Sequence, residues 1–195
     1  MADKAIGVLA LQGDFELHAK VIEGAGAPCI EVRTIEQLGE VSGLVIPGGE
    51  STTVGKLLVS TGLDAEIPRR YNEGTLAIFG TCMGTIMLAK RIENRQQFSM
   101  NMLDITVRRN SYGRQVDSFE TELPVTGIGT NGTPVRAVFI RAPQILETGP
   151  GVEVLASFAG LPVLVKQDRI LACCFHPEIT EDNRIHSFFI KMCGN

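Results

Sequence analysis

The 195-residue sequence has no tryptophan and two tyrosines, and it carries neither a Lys/Arg stripe nor a basic patch interleaved with aromatics. With a net charge of −4, that absence argues against a nucleic-acid surface. No apolar run approaches the roughly 18–20 residues that a membrane span needs. The apolar run Ala5 to Leu11 passes straight into Gln12-Gly13-Asp14 without a cleavage-like stretch, so it reads as a first strand and not as a secretory signal. The five cysteines (Cys29, Cys82, Cys173, Cys174, Cys193) are odd in number and form no CxxC pair. That pattern fits neither a disulfide framework nor a zinc site and predicts a reduced, cytoplasmic setting. Repeats, low-complexity tracts and obvious linkers are also missing. The length therefore predicts one domain over residues 1–195.

What is present is organised around Thr75 to Phe79, a short apolar strand candidate, followed at once by Gly80-Thr-Cys82-Met-Gly84. Thr85 to Arg91 then has helical apolar spacing and closes on Lys90 and Arg91, which suit a helix C-terminus. A cysteine with a glycine two residues away on each side matches a nucleophile elbow, the sharp strand-to-helix turn that lifts one side chain above a sheet. Gly80 and Gly84 remove side chains where the backbone turns tightly and the helix passes close to the strand. At a helix N-terminus Cys82 meets partial positive charge and free N–H groups, which favour a thiolate. The competing reading is a small buried hydrophobe. Core filling is the expectation for Cys29, Cys173, Cys174 and Cys193, and adjacent Cys173 and Cys174 point to opposite faces of a strand.

Strands are expected at Ala5–Leu11, Pro28–Arg33 and Gly43–Ile46, with helices from about Asp14 to Glu23 and near Ile35 to Leu38. Phe15, Leu17, Val21 and Ile22 mark the first of these helices, which ends at Gly24 and Gly26. This alternation predicts a mostly parallel α/β sheet covered on both faces. The third strand runs into Pro47-Gly-Gly-Glu-Ser-Thr-Thr53, where two glycines can present bare N–H groups to a ligand and Ser51 or Thr52 can cap a helix resuming at Val54. A P-loop fails here, because Glu50 stands where its glycine belongs and Leu57 where Ser or Thr is required. From Leu103 to Ala172 β-branched residues and turn signals dominate. Strands are expected at Leu103–Arg109, Phe119–Val125, Val135–Arg141, Val152–Ala159, Val163–Lys166 and Ile170–Cys174. Asn110 to Gly113 and Gly127 to Pro134 read as loops. The GxGxxG from Gly127 to Gly132 precedes a strand instead of opening a helix, so it is a turn-rich loop. The sequon at Asn131 carries no weight without a secretory signal. A last helix is expected from Glu181 to Cys193, with Ile185, Phe188, Phe189 and Met192 on its apolar face.

His176-Pro-Glu178 is the second chemically loaded stretch. Pro177 disfavours a helical conformation at His176 and keeps the chain extended, where residues two apart project to one side. Glu178 can then hold one ring nitrogen of His176 and leave the other as a base, the orienting role in a nucleophile–base–acid triad. Its place at a strand end puts it on the same sheet rim as Cys82. The alternative is a surface histidine beside a helix-start carboxylate. His18 and His186 fall within amphipathic helices with no acid similarly placed, and read as structural or solvated.

Together, Pro47-Gly-Gly-Glu-Ser51, Gly80-Thr-Cys-Met-Gly84 and His176-Pro-Glu178 resemble the class I, triad-type glutamine amidotransferases. Gly7 to Gly13, Gly48 to Thr53, Arg109 to Glu120 and Phe139 to Pro143 are more specifically similar to the family of glutaminase subunits of pyridoxal 5′-phosphate synthase, over essentially the whole chain. The resemblance implies a flavodoxin-like three-layer α/β fold and hydrolysis of L-glutamine to L-glutamate and ammonia through a γ-glutamyl thioester. It implies Cys82 as nucleophile, His176 as base and later acid, and Glu178 as its orienter. Gly49, Glu50 and Ser51 line the glutamine site, with the N–H groups of Gly49 and Met83 as oxyanion donors. Arg109 binds the α-carboxylate end, and Ile140 and Arg141 complete the pocket. It further implies a barrel-shaped synthase subunit as hetero-oligomeric partner that receives the ammonia for vitamin B6 cofactor synthesis, with no metal or bound cofactor. Met83 stands where a small residue is expected, and the 127–134 loop is somewhat long. Two competing readings are a non-catalytic synthase-binding subunit and another thiol hydrolase such as a γ-glutamyl hydrolase.

Overall fold

The computed structural model describes residues 5–93, 97–109, 118–129 and 132–194. The first half alternates: β1 (Ala5–Leu9), α1 (Phe15–Gly24), β2 (Cys29–Val32), α2 (Ile35–Gly39), β3 (Val41–Ile46), α3 (Ser51–Thr61), α4 (Leu63–Asn72), β4 (Ala77–Thr81) and α5 (Met83–Leu88). The second half is mostly strand: β5 (Ala89–Ile92), β6 (Leu103–Arg108), β7 (Ser118–Leu123), β8 (Val135–Ile140), β9 (Gln144–Thr148), β10 (Glu153–Phe158), β11 (Leu161–Gln167) and β12 (Ile170–Cys173). A 3₁₀ turn (Pro177–Ile179) and α6 (Arg184–Cys193) close the chain.

A seven-stranded sheet has the order β10-β11-β12-β4-β3-β1-β2. From β12 to β2 its neighbours pair in parallel, while β11 and β10 add antiparallel strands at one edge. The parallel strands are buried on both faces, as continuous runs such as Leu44-Val-Ile46 and Ile78-Phe79 require. Phe79 packs on His186 and Phe189 of α6 and edge-on to His18 of α1. A Cβ at the next residue, Gly80, would press on Gly84 and Leu88 of α5. Because neighbouring residues in a strand face opposite ways, α1 and α6 cover one side and α5 the other. The expected flavodoxin-like three-layer arrangement is thus present.

Several boundaries differ from expectation, each for a physical reason. Helix α5 stops at Leu88, because Ala89 turns extended (ψ 142°) and starts β5. Lys90 and Arg91 therefore serve no helix terminus; Lys90 pairs with Asp104 at 3.1 Å and Arg91 donates to the Thr106 hydroxyl. Helix α4 has no counterpart in the sequence reading, since Pro68 inside it looks like a breaker and polar residues hide its Leu63, Ile67, Arg70 inner face. Strand β9 was likewise not expected. In α1 the buried positions are His18 and Ile22, and Leu17 faces out. The final helix starts at Arg184, three residues later than expected. The Asn110–Gly113 loop lies outside the described residues, as do residues 130 and 131 of the Gly127–Pro134 loop, which include the sequon's Asn131.

The hairpin β7–β8 is fastened to the main sheet by stacked rings. Phe119 and Phe139 stack at 4.6 Å, Phe158 of β10 lies 5.1 Å from Phe119, and Phe175 lies 5.6 Å from Phe139. Phe175 immediately precedes His176, whose backbone N–H donates to the Val138 carbonyl. Among the described residues no helix is long and apolar enough to cross a membrane. Phe139 is 1% exposed at the centre of this ring cluster. Phe139→Ala is expected to cost about 3–5 kcal/mol in chemical denaturation, the usual range for emptying a buried phenylalanine site.

Candidate active site

The site forms where β1, β3, β4 and β12 reach their carboxyl ends, the rim at which open α/β sheets bind ligands. Cys82 follows β4 directly and has φ 49° and ψ −105°, a left-handed backbone that a non-glycine residue adopts only under constraint. Two carbonyls hold it there. The Cys82 N–H donates to Cys173 O at 2.9 Å, and the Thr85 hydroxyl donates to Cys173 O at 2.6 Å and Gly80 O at 3.2 Å. The elbow glycines act as expected, because a Cβ at Gly84 would sit 2.0 Å from the Ile46 carbonyl.

His176 leaves the end of β12 with φ −108° and ψ 86°, and Pro177 opens a 3₁₀ turn. The expected extended His-Pro-Glu segment is corrected to this turn, which still brings Glu178 Oε1 to 2.7 Å from His176 Nδ1. Both side chains are nearly or fully buried. Burial opposes the charged imidazole, but hydrogen bonds to Cys82 and Glu178, and then their charges, outweigh it and raise the His176 pKa to about 10. Gly48 lies between His176 and the Cys82 stem: a Cβ there would lie 2.6 Å from His176 Cε1 and 3.6 Å from Cys82 Cβ.

A cleft of about 480 Å³ opens over these groups and is lined by Gly49, Glu50, Ser51, Cys82, Met83, Arg109, Ile140, Arg141 and His176. Every expected site residue except Glu178 thus lines one cavity, and Glu178 lies behind His176. Gln12, Gly13, Asp14 and Ile86 line it too. These four were missed, although Gln12 to Asp14 directly follow a strand and so fall on the same rim. The Gln12 side-chain carbonyl accepts from the Glu50 N–H at 2.7 Å and ties the loop after β1 to the loop after β3.

Glu50, and not Ser51 or Thr52, caps α3. Its carboxylate accepts from the N–H groups of Thr52 (3.1 Å) and Thr53 (2.8 Å) and from the Thr53 hydroxyl, which together pull its pKa down to about 2. Ser51 is buried, and its hydroxyl has no hydrogen-bond partner among the described residues. The Arg109 guanidinium lies 3.8 Å from Glu50 and donates to Gln97. The Cys82 thiol reaches the Ile140 carbonyl at 3.8 Å, and Arg141 follows with φ 44°. Met83, at the position where a small residue was expected, is 2% exposed and presents a wall of the cleft.

The other four cysteines behave as filling. Burial pushes up the thiols of Cys173, Cys174 and Cys193, the last to about 12, and that of half-buried Cys29 to about 11. Among the described residues, Asp14, His176 and Glu178 form the one group whose ligand atoms lie within 4.8 Å of one another. A metal there would compete with the His176–Glu178 contact. His18 and His186 are both fully buried, and Glu178 stands beside His18, so the solvated alternative and the expected lack of an acid are corrected.

The chain matches the model of the SNO glutamine amidotransferase family over residues 8–195. It is 51% identical over 187 residues to a Thermotoga petrophila protein described as pyridoxal 5′-phosphate synthase subunit PdxT, covering 96% of this chain and 98% of that one. A Thermus thermophilus protein with the same description is 50% identical over 190 residues, covering 97% of each. A solved structure described as a glutamine amidotransferase superposes with a TM-score of 0.93 at 47% identity, covering 98% of this chain and 100% of that one.

The buried histidines give the site a pH signature of its own. Burial pushes His186 down from 6.5 to about 4, and burial together with the neighbouring His186 and His176 pushes His18 well below its ordinary value. Between pH 6.5 and 4 the unfolded chain therefore binds protons that the folded chain refuses, and stability falls as the pH is lowered. For His186 alone the loss by pH 4 is about 3 kcal/mol. His176 acts oppositely: its contribution is full below about pH 6.5 and is lost as the pH rises through about 10. Denaturant titrations across pH 4–7 should show the acid slope in the wild type and a shallower one in His186→Leu.

Proposed function

The chain belongs to the SNO glutamine amidotransferase family, and from that premise we propose that it hydrolyses L-glutamine at Cys82 and hands the ammonia to a synthase subunit. The observation that carries this reading is that Cys82 and His176 line one cleft with Glu178 behind His176 at 2.7 Å, and that Cys82 sits on a strained elbow.

In this reading the Cys82 sulfur attacks the side-chain amide carbon of glutamine. The tetrahedral oxyanion forms against the N–H groups of Gly49 and Met83, each such donor being typically worth about 3–4 kcal/mol. His176, protonated while it faces the sulfur anion, gives its proton to the departing nitrogen, and ammonia leaves. A water then loses a proton to His176 as it attacks the γ-glutamyl thioester, and glutamate and the free sulfur are released. Glu178 holds the ring in one tautomer throughout. The far end of the cleft is suited to a free amino acid. Arg109 offers a cation to the α-carboxylate, Glu50 an anion to the α-ammonium, and the unpartnered Ser51 hydroxyl a further polar contact.

The relatives named as subunits of pyridoxal 5′-phosphate synthase support a partner that consumes the ammonia. On this reading the chain works within a hetero-oligomer, and the cleft supplies nitrogen to chemistry carried out elsewhere.

Glutamate formation from glutamine, with and without a pyridoxal 5′-phosphate synthase subunit, tests both statements. Cys82→Ala should lower the rate by more than about a thousandfold, as expected for loss of a triad nucleophile. The wild-type rate should rise with the synthase present. A rate that depends on Cys82 and ignores the synthase would remove the partnership and leave the glutaminase. Arg109→Ala should raise KM for glutamine far more than it lowers kcat, because its contact is made equally in ground and transition states.

A further inference from the structure

Behind the cleft lies a polar cluster that the reaction as described does not use. His18 of α1 and His186 of α6 are both fully buried, and His18 Nδ1 lies 2.9 Å from His186 Nε2. The other nitrogen of His18, Nε2, lies 3.1 Å from the Thr81 hydroxyl and 3.3 Å from Glu178 Oε2. Thr81 is the residue before Cys82, and Glu178 is the residue that holds His176. One imidazole thus touches the neighbour of the nucleophile and the partner of the base.

The tautomers follow from what these groups can offer. Glu178 Oε2 is buried with no hydrogen bond of good geometry among the described residues, so the approach of His18 is off-line and its N–H is shared with Thr81. A bare lone pair on Nε2 facing a carboxylate at that distance is repulsive, which places the His18 proton on Nε2. Nδ1 of His18 is then an acceptor, and His186 must donate from its Nε2. The remaining atom, His186 Nδ1, has no partner among the described residues and is left as a lone pair. The donations converge on Glu178 from two sides: His186 donates to His18, His18 points its N–H at Thr81 and Glu178, and His176 donates to Glu178 from its Nδ1. Burial keeps both rear histidines neutral, as this arrangement needs. Among the described residues, the titratable side chains that face His18 are His186 and Glu178, with the charge of His176 beyond them.

We propose that His18, locked in its Nε2–H tautomer by His186, is a positioning residue that sets Glu178 behind His176 and Thr81 behind Cys82. This rests on the glutaminase reading above. It assigns work to two histidines that touch neither substrate nor sulfur.

The decisive comparison is His18→Gln against His18→Asn in the assembled enzyme with its synthase subunit. A glutamine amide places an N–H near the former Nε2 and faces Glu178; an asparagine amide places it near the former Nδ1 and faces His186. The glutamine variant should keep most of kcat, whereas the asparagine variant should lose about tenfold or more with KM little changed, the scale of one hydrogen bond to a charged group. His18→Phe should match or exceed the asparagine loss. The pH profile of Cys82 alkylation by iodoacetamide reads the same geometry without turnover, and should move by about one unit in the asparagine variant and stay put in the glutamine variant. Equal activity and equal alkylation profiles for glutamine and asparagine variants that both melt cooperatively overturn the proposal. If the wild type itself makes no glutamate, the glutaminase reading fails instead, and the alkylation profiles alone decide the positioning role.

Discussion

The contact on which the rest depends is the approach of α5 to the back of β3. Gly84 passes so close to the Ile46 carbonyl that any side chain there would overlap main-chain atoms. That approach permits the chain to reverse within the few residues after β4, and the reversal forces Cys82 into its left-handed backbone. A non-glycine residue so held costs about 1–3 kcal/mol, which the surrounding hydrogen bonds to Cys173 O and the buried sheet must offset. In return the thiol is presented above the sheet and not within it. The elbow is therefore a packing solution first and a chemical one second.

Parallel topology then gathers the remaining groups without further strain. Strands β1, β3, β4 and β12 all point the same way, so their carboxyl ends share a rim and their following loops face one cleft. Each loop contributes a different chemistry: Gln12 from the first, the Gly49–Ser51 turn from the second, the sulfur from the third and the imidazole from the fourth. The antiparallel ribbon of β7 and β8 closes the remaining side, and its rings and the Val138 carbonyl steady the segment that carries His176. The parallel sheet thus supplies Cys82 and His176, and the antiparallel ribbon supplies a wall.

The layer between β4 and the helices α1 and α6 is unusual in holding two imidazoles among Phe79 and Phe189. Burying neutral histidines in such a place is costly unless their nitrogens are paired, and here three of the four are set against each other or against residues of the site. Stability and site geometry are consequently written into the same contacts. Whatever holds Glu178 also holds α1 against α6.

Much of this was readable along the chain. The strand–helix alternation of the first half, the glycines flanking Cys82, the loop after β3 and the His-Pro-Glu segment are local patterns, and each follows from residue type and spacing. The resemblance to the class I amidotransferases rested on those same motifs, and the more specific one on Gly7 to Gly13, Gly48 to Thr53, Arg109 to Glu120 and Phe139 to Pro143. What the sequence could not show is what depends on distant partners. Helix α4 was hidden because its proline and charges look like a break until Arg70 is seen reaching the carbonyls of Leu38, Val41 and Thr75. The end of α5 was misplaced because Lys90 and Arg91 answer to β6, a strand more than ten residues away. Glu50 was expected to line the site, but its helix-capping role appears only when its carboxylate folds back on Thr52 and Thr53. His18 and His186 are separated by 168 residues and carry no motif, and only the packing of two helices on one sheet face brings them together. The sequence by itself determined the strand–helix alternation of the first half and the candidate site residues, because these are set by local backbone preference and covalent spacing. The tertiary structure decided which of those residues meet, because contact across a parallel sheet depends on topology and not on distance along the chain.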